Sequence, residues 1–354
     1  MRVAHLIWSL GVGGAQTLLT DIANIQVREG HEVGVFVVDD LVSDTIMNKF
    51  SPRVKVFFMG RVRGTKSKWP FVKLNWRLWK YRPDIIHSHA GKLNNVVFSH
   101  VPKVATIHNM TSNPVLFGKC MATFAISKSV KEDWKKKGYG VTTVIENGVS
   151  CESIKQKKEW NLQDMVHVVV LSRVSFSPKR QDLVVSALAK ILDNQHKNVL
   201  QTKPKKCIVH FVGDGPDSDK LKEMVQQLHL EENVVFEGVK DRSWVYEHLC
   251  DYDLFVQASD FEGFGLTVAE ACAAKLPVLI SDVDGPLEII DGGRLGMTFK
   301  KGDADDLANQ LSHFIAGGYD YSLIDCAYQR VLNEYSIERT AHTYLAEYEK
   351  VLGK

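Results

Sequence analysis

The sequence predicts an α/β protein of two domains, each built on a parallel sheet. Three observations carry this expectation. Short apolar runs alternate with helical segments along all 354 residues, which is the pattern of βαβ units. The length suits two domains of about 150 to 180 residues, each able to bury its own core. Between them, residues 150–164 read SCESIKQKKEWNLQD, a polar and weakly periodic junction.

In the first half the expected strands cover residues 3–8, 32–38, 54–59, 85–88, 104–107, 122–126 and 143–145. The first ends in Gly11-Val12-Gly13-Gly14-Ala15-Gln16 and feeds a helix, a partial dinucleotide fingerprint. Asp39 and Asp40 close the second strand as candidate ribose ligands, so a nicotinamide-dependent dehydrogenase stays open as an alternative. Against it, Gln16 occupies the place of the third small residue, and the acids come later than the usual spacing of about twenty. His87 and His89 alternate at the end of the fourth strand, which puts both on one face at its rim. His108 follows the next strand, VATI, and precedes Asn109. A lone His of this kind is more often structural than catalytic. No acidic or cysteine partner lies near these three histidines, which argues against a metal.

From Arg61 to Arg82 there are eight basic residues and no acidic one, interleaved with Trp69, Phe71, Trp76, Trp79 and Tyr81. A helix from Phe71 onward gathers Val72, Trp76 and Trp79 on one face with basic groups beside it. Lys66, Lys68, Lys73, Trp76, Arg77 and Trp79 are therefore candidates for contact with an anionic membrane surface. No nucleic-acid-binding module accompanies them.

In the second half the expected strands are 166–171, 207–212, 234–237, 254–258 and 277–281. Arg173 ends the first of them and Lys179 follows six positions later, a two-cation clamp suited to a diphosphate. Residues 260–285, DFEGFGLTVAEACAAKLPVLISDVDG, carry the densest information. Gly263 and Gly265 let the backbone approach a ligand, and a buried helix begins just after them. Such a turn leaves N–H donors at a helix N-terminus, which attract an anion. Glu262 precedes this helix and Glu270 lies within it. The pairs Asp251/Asp253 and Asp282/Asp284 imitate D-x-D metal motifs, but the first runs into a buried strand and neither implies a divalent ion. The last segment, 336–352, reads as an amphipathic helix with Ala341, Tyr344, Leu345, Tyr348 and Leu352 on one face.

Composition narrows the class. Hydrophobic content of 45% and charged content of 24% are ordinary for a soluble globular protein. The start lacks the length of a membrane span and the cleavage site of a signal peptide. Six scattered cysteines without a C-x-x-C pair fit a reducing cytosol. The net charge of +2 hides an asymmetry: residues 1–160 hold 24 Lys and Arg against 12 Asp and Glu, the remainder 20 against 30. A basic first half suggests an anionic partner.

Glu262 and Glu270, with the glycines between them, resemble the E-x7-E signature of retaining glycosyltransferases of the family 4 type, which have the GT-B fold. The resemblance runs from Gly13 to about Gly293 with its motifs in family order. It implies two Rossmann-like domains facing across a cleft: residues 1–155 binding the acceptor and residues 165–330 binding the nucleotide sugar. It also implies that the helix in 336–354 crosses back to the first domain. By the same resemblance Glu262 lies against the donor sugar, Glu270 binds the ribose, and His108 faces the sugar. Gly13 and Gly14 bring N–H groups to the diphosphate, as do Gly265 and Leu266 at the helix end. Arg173 and Lys179 match an R-x5-K pair, with Arg180 departing from a common glycine. Val239 sits in the slot for the base. His108, Arg173, Lys179 and Glu262 are then the catalytic set.

The implied function is transfer of a sugar, with retention, from a nucleotide-diphosphate sugar to a glycan or lipid-linked glycan acceptor. A UDP-sugar is favoured as donor, and no metal or other cofactor is required. The setting is bacterial surface polysaccharide synthesis at the inner face of the cell membrane, the protein being cytoplasmic and peripheral. A nucleotide-sugar epimerase and a non-catalytic nucleotide-sugar-binding subunit are the further alternatives.

Overall fold

The computed structural model describes residues 1–11, 13–108, 113–141, 143–160, 162, 164–197 and 205–354. Val12, Asn109 and two positions of the polar junction, 161 and 163, lie outside the described residues. The chain divides into two compact units: Met1–Gly148 with Tyr335–Lys354, and Val149–Glu334.

The first unit is built on seven strands: β1 (Arg2–Ile7), β2 (Glu32–Asp39), β3 (Lys55–Arg61), β4 (Ile85–Ser88), β5 (Lys103–Ile107), β6 (Ala122–Ala125) and β7 (Thr143–Val144). They pair in parallel in the order β3-β2-β1-β4-β5-β6-β7. Strands β1, β4 and β6 are buried along almost their whole length, which is why they read as continuous apolar runs. Helices α1 (Gly14–Arg28), α2 (Asp44–Met47), α3 (Trp69–Tyr81) and α4 (Lys128–Lys136) connect them. The Ser127 hydroxyl caps α4 by accepting from the Val130 N–H, satisfying one of the donors that a helix start leaves open.

The second unit has six strands: β8 (Met165–Leu171), β9 (Lys206–Val212), β10 (Val234–Gly238), β11 (Leu254–Gln257), β12 (Val278–Ser281) and β13 (Met297–Phe299). Their order is β10-β9-β8-β11-β12-β13, again parallel. The edge strand β13 is not among the strands expected from sequence. Its three residues are too few to show a period, and its pairing with β12 is what defines it. Helices α5 (Gln181–Lys197), α6 (Ser218–Gln227), α7 (Arg242–His248), α8 (Leu266–Ala273), α9 (Asp284–Ile289), α10 (Ala304–Ile315) and α11 (Leu323–Glu334) complete the unit.

The last helix, α12 (Ile337–Val351), packs in the first unit. Ile337, Ala341, Tyr344 and Tyr348 are buried there in one cluster with Leu18, Ile22, Ile25 and Phe124. Truncating a buried aromatic of this size costs about 3–5 kcal/mol, so this helix is integral to that core.

Both sheets have the doubly wound order, and in each the order reverses beside the first strand: between β1 and β4, and between β8 and β11. At such a switch point neighbouring loops leave in opposite directions and open a crevice at the carboxyl ends of the strands. The loops after β8 and β11 carry Arg173, Lys179 and Glu262, and those after β1 and β4 carry Gly13, Gly14 and His89.

Candidate active site

The loop after β8 folds around one buried amide. The Gln181 Nε2 donates to Ser172 Oγ at 2.7 Å and to the Arg173 carbonyl at 2.9 Å, while its Oε1 accepts from the Ser175 N–H at 3.0 Å. Gln181 is fully buried, so these bonds persist without competition from water. The Arg173 side chain is exposed and makes no ion pair among the described residues. Arg180, the departure from glycine, adopts φ 55, the left-handed region that glycine favours. Its guanidinium bonds to Asp182 and, at 3.1 Å, to Asp260, which offsets that backbone cost. The Asp260 N–H also donates to the Pro178 carbonyl at 2.7 Å, fastening this loop to the one after β11.

Across that fastening Lys179 reaches Glu262, whose Oε2 also accepts from Gln257 Nε2 at 3.2 Å. Two glycines make the local packing possible. A Cβ at Gly285 would lie 2.5 Å from the Glu262 carbonyl oxygen, and one at Gly213 would lie 2.1 Å from that of Ser172. Main chain therefore touches main chain behind both charged side chains. Gly265 caps α8 with φ 101, and its carbonyl accepts from the Val268 and Ala269 N–H groups. The N–H groups of Leu266 and Thr267 have no backbone acceptor among the described residues, and they form the positive end of α8. Glu270, one turn further, is buried and faces Arg242 Nη2 at 3.3 Å. Arg242, at the start of α7, is a residue that sequence reasoning missed: it lies 28 positions away, and only the fold brings it to Glu270. Gly238 takes φ 69, and Val239 beyond it is 68% exposed.

In the first unit, Gly13 precedes α1 in extended conformation, and Gly14 opens the helix. His108 ends β5, and its Nε2 lies 3.2 Å from His89 Nδ1. Burial lowers the His108 pKa to about 4, so the ring is neutral at physiological pH. His87 and His89 share one face, ring centroids 4.2 Å apart, but they do not line a rim: both are buried. The reason is that α12 and α1 cover that face of the sheet, bringing Tyr348 to 2.5 Å from His87 Nδ1.

Comparisons with known proteins give the family and the fold. Residues 152–329 match the family Glycosyl transferases group 1, and residues 12–153 match Glycosyltransferase Family 4. The chain belongs to the group 1 glycosyl transferases. The lipopolysaccharide 1,6-galactosyltransferase of Escherichia coli is 30% identical over 338 residues, covering 87% of each chain. An N-acetyl-alpha-D-glucosaminyl L-malate synthase of Bacillus anthracis is 32% identical over 154 residues, 44% of this chain but only 37% of that relative's length. The crystal structure of Anabaena HepE in complex with UDP aligns over 99% of this chain and 100% of its own, with TM-score 0.78 and 21% identity. That likeness shows the shared GT-B fold.

In this transferase the acidic pairs that imitate D-x-D motifs have structural partners. Asp253 pairs with Lys157 at 3.2 Å and accepts from the His167 N–H, and Asp251 pairs with His248. Asp282 accepts from the Lys301 N–H, and Asp284 opens α9. Among the described residues His5, His87 and His89 offer three ligand atoms within 4.8 Å of one another. Each of their ring nitrogens already has a hydrogen-bonding neighbour, so a metal there would have to displace several bonds.

Helix α3 turns Pro70, Leu74, Leu78 and Tyr81 into the core and leaves an aromatic face outside. Trp69 is 70%, Trp79 72% and Trp76 49% exposed, with Val72 beside them. Lys66 and Lys68 are exposed as well. Lys73 and Arg77 are half-buried, and the Arg77 guanidinium lies over the rings of Phe57 and Trp76. Among the described residues, no helix is long and apolar enough to cross a membrane.

Proposed function

We propose that this transferase moves a sugar, with retention, from a UDP-sugar to a glycan or lipid-linked glycan acceptor. The observation that carries the reading is the joined pair Lys179 and Glu262 on the loops after β8 and β11, at the switch point of the second sheet, with α8 starting four residues after Glu262. Breaking a sugar–phosphate bond leaves added negative charge on the departing diphosphate. Arg173, Lys179 and the helix end stabilise that charge more in the transition state than in the ground state. A phosphate arriving beside Lys179 competes with Glu262 for the ammonium and turns the carboxylate toward the sugar. Glu270 takes the ribose, Val239 borders the base, and Gly13, Gly14 and His108 serve the donor from the first domain. With cations and N–H groups meeting the leaving charge, no metal or other cofactor is needed. The support for UDP is that HepE was solved with it, and the support for a surface glycan is the Escherichia coli relative.

Thermal shifts with UDP-, GDP- and ADP-sugars test the donor, because selective binding stabilises the fold by mass action. Selective stabilisation by the UDP series, and turnover that persists in excess EDTA, are expected. A shift confined to GDP- or ADP-sugars removes the UDP assignment, and activity restored by magnesium removes the metal-free scheme.

The same reading places the protein peripherally on the inner face of the cell membrane, in the cytoplasm, through the exposed face of α3. Interfacial tryptophans beside basic groups suit an anionic lipid surface, each Lys or Arg near it contributing about 1 kcal/mol. Arg77 packs on Phe57, so a charge reversal there would disturb the fold as well. Lys66, Lys68 and Lys80 are the cleaner probes. Sedimentation with anionic liposomes should be lost at high salt and on changing these three to Glu. Equal recovery with neutral liposomes would end this proposal.

A further inference from the structure

The first unit contains a hydrogen-bonded line of side chains that ends at His108. The Gln26 Oε1 lies 2.8 Å from His5 Nε2, His5 Nδ1 lies 3.1 Å from His89 Nε2, and His89 Nδ1 lies 3.2 Å from His108 Nε2. Gln26 and His5 are fully shielded from solvent, and His89 nearly so. These residues come from α1, β1 and the ends of β4 and β5, so the line crosses the sheet at its switch point.

A neutral imidazole has one N–H and one bare nitrogen, so the polarity of such a line is set at its end. A carbonyl oxygen can only accept. With Oε1 of Gln26 facing it and the Gln26 Nε2 turned away without a hydrogen-bond partner among the described residues, His5 carries its proton on Nε2 and leaves Nδ1 bare; the opposite amide orientation would reverse the line. His89 then carries its proton on Nε2 and donates it to His5, leaving its own Nδ1 bare. His108 must in turn donate from Nε2. The result is a His108 whose Nδ1 is an acceptor.

We propose that Gln26, His5 and His89 are positioning residues that fix His108 as the Nε2–H tautomer, presenting Nδ1 as an acceptor for a substrate hydroxyl. This deepens the reading above, in which His108 serves the donor sugar, and rests on it for the hydroxyl alone. An acceptor at this point distinguishes a substrate carrying a free hydroxyl from one in which that group is methylated or replaced by fluorine. Burial supports the scheme, since it keeps all three rings neutral and thus able to hold one polarity.

The test is nitrogen-15 NMR of the ring-labelled full chain without substrate, together with steady-state kinetics. The wild type should show His108 as the Nε2–H tautomer. Gln26→Leu removes the terminal acceptor, and both tautomers of His108 should then appear, with kcat lowered about tenfold, the equivalent of one lost hydrogen bond. Gln26→Glu puts a carboxylate against His5 and favours its imidazolium, whose Nδ1–H then donates to His89, so the line should reverse and His108 should appear as the Nδ1–H tautomer. A wild-type spectrum with the proton on Nδ1, or a His108 tautomer indifferent to Gln26→Leu, would overturn the proposal. If Gln26→Glu does not fold, His5→Phe, which also cuts the line, must give the same mixed tautomers. Should the tautomers behave as expected while His108→Ala turns over normally, the line stands and the assignment of His108 to the donor sugar falls instead.

Discussion

The two halves of this transferase each put titratable groups at the switch point of a doubly wound sheet, and they do so by opposite physics. In the second unit Lys179 and Glu262 are charged, half-buried and joined across two loops. The main chain at Glu262 is approached closely by Gly285, and that at Ser172, on the loop that leads to Lys179, by Gly213. In the first unit His5 and His89 are buried and His108 is half-buried, and all three are neutral and aligned by hydrogen bonds. A charged site tolerates solvent and needs rigid backing. A neutral site excludes solvent and needs a defined tautomer.

The largest effect that could break this contrast lies in the charged site. Replacing Arg173 and Lys179 together with Ala should lower turnover by about 100-fold or more, the magnitude of losing transition-state donors. The melting temperature should stay close to wild type, because Arg173 is exposed and Gln181 holds the loop without either side chain. Near-normal turnover in the double variant would remove the diphosphate clamp. A collapsed melting temperature would show that the pair is structural.

A smaller and more discriminating effect separates the two glutamates. Glu262 has Lys179 and Gln257 as neighbours and is partly exposed, whereas Glu270 is buried against Arg242. Glu270→Ala should weaken UDP and UDP-sugar alike, since both contain the ribose. It should also lower the melting temperature, because the half-buried Arg242 loses a carboxylate neighbour 3.3 Å away. Glu262→Ala should act on the intact donor and on turnover, with UDP affinity retained. Calorimetric titration of UDP reads the difference, and equal weakening by both changes would merge the two roles.

How far the sequence reveals each region follows from the same contrast. The charged site is legible because its parts lie close along the chain: Arg173 to Lys179, and Glu262 through Gly265 to Glu270. A close backbone approach needs glycine, and glycine is visible in the sequence. The histidine line is not legible in this way. Gln26 sits in the middle of an amphipathic helix, His5 in the middle of an apolar strand, and α12 supplies the cover from more than 250 positions beyond His87. Arg242 and Gln181 escaped for the same reason, since a buried partner has no local pattern. Strand β13 escaped through brevity. A helix from Phe71 onward is legible in its period, but the half-buried place of Arg77 is not, because sequence spacing cannot show that Phe57 offers a ring beneath it.

The smallest expected effect on turnover, and the one that most sharpens the contrast, is acid sensitivity concentrated in the first unit. Burial lowers His5 and His108 to about 4, and it lowers His87 and His89 well below the ordinary value of 6.5, with neighbouring histidines adding to the shift. Tyr344 and Tyr348, which border His87, are shifted upward and stay protonated and uncharged. In the unfolded chain these histidines bind protons near 6.5, while in the folded chain His5 and His108 resist until about 4 and His87 and His89 are held well below 6.5. Between those values the unfolded state holds more protons, so stability rises with pH and is lost as pH falls from 6.5 toward 4. The exposed Asp214 and the half-buried Asp217 of the second unit are lowered instead, by hydrogen bonds from Ser218 and Phe176 respectively. Their stabilisation is complete above the ordinary carboxylate pKa of 3.8 and is lost only below it. Hydrogen exchange at about pH 7.5 and about pH 5 should therefore show protection falling most in β4, β5 and α12, and less in β8 and β9, where burial and the neighbouring His210 lower His167 alone. Replacing His5 with Asn removes one of the resisting protonation sites and should flatten the pH dependence of the first unit while leaving the second as it was. Uniform loss across both sheets would mean that the two units unfold as one cooperative body.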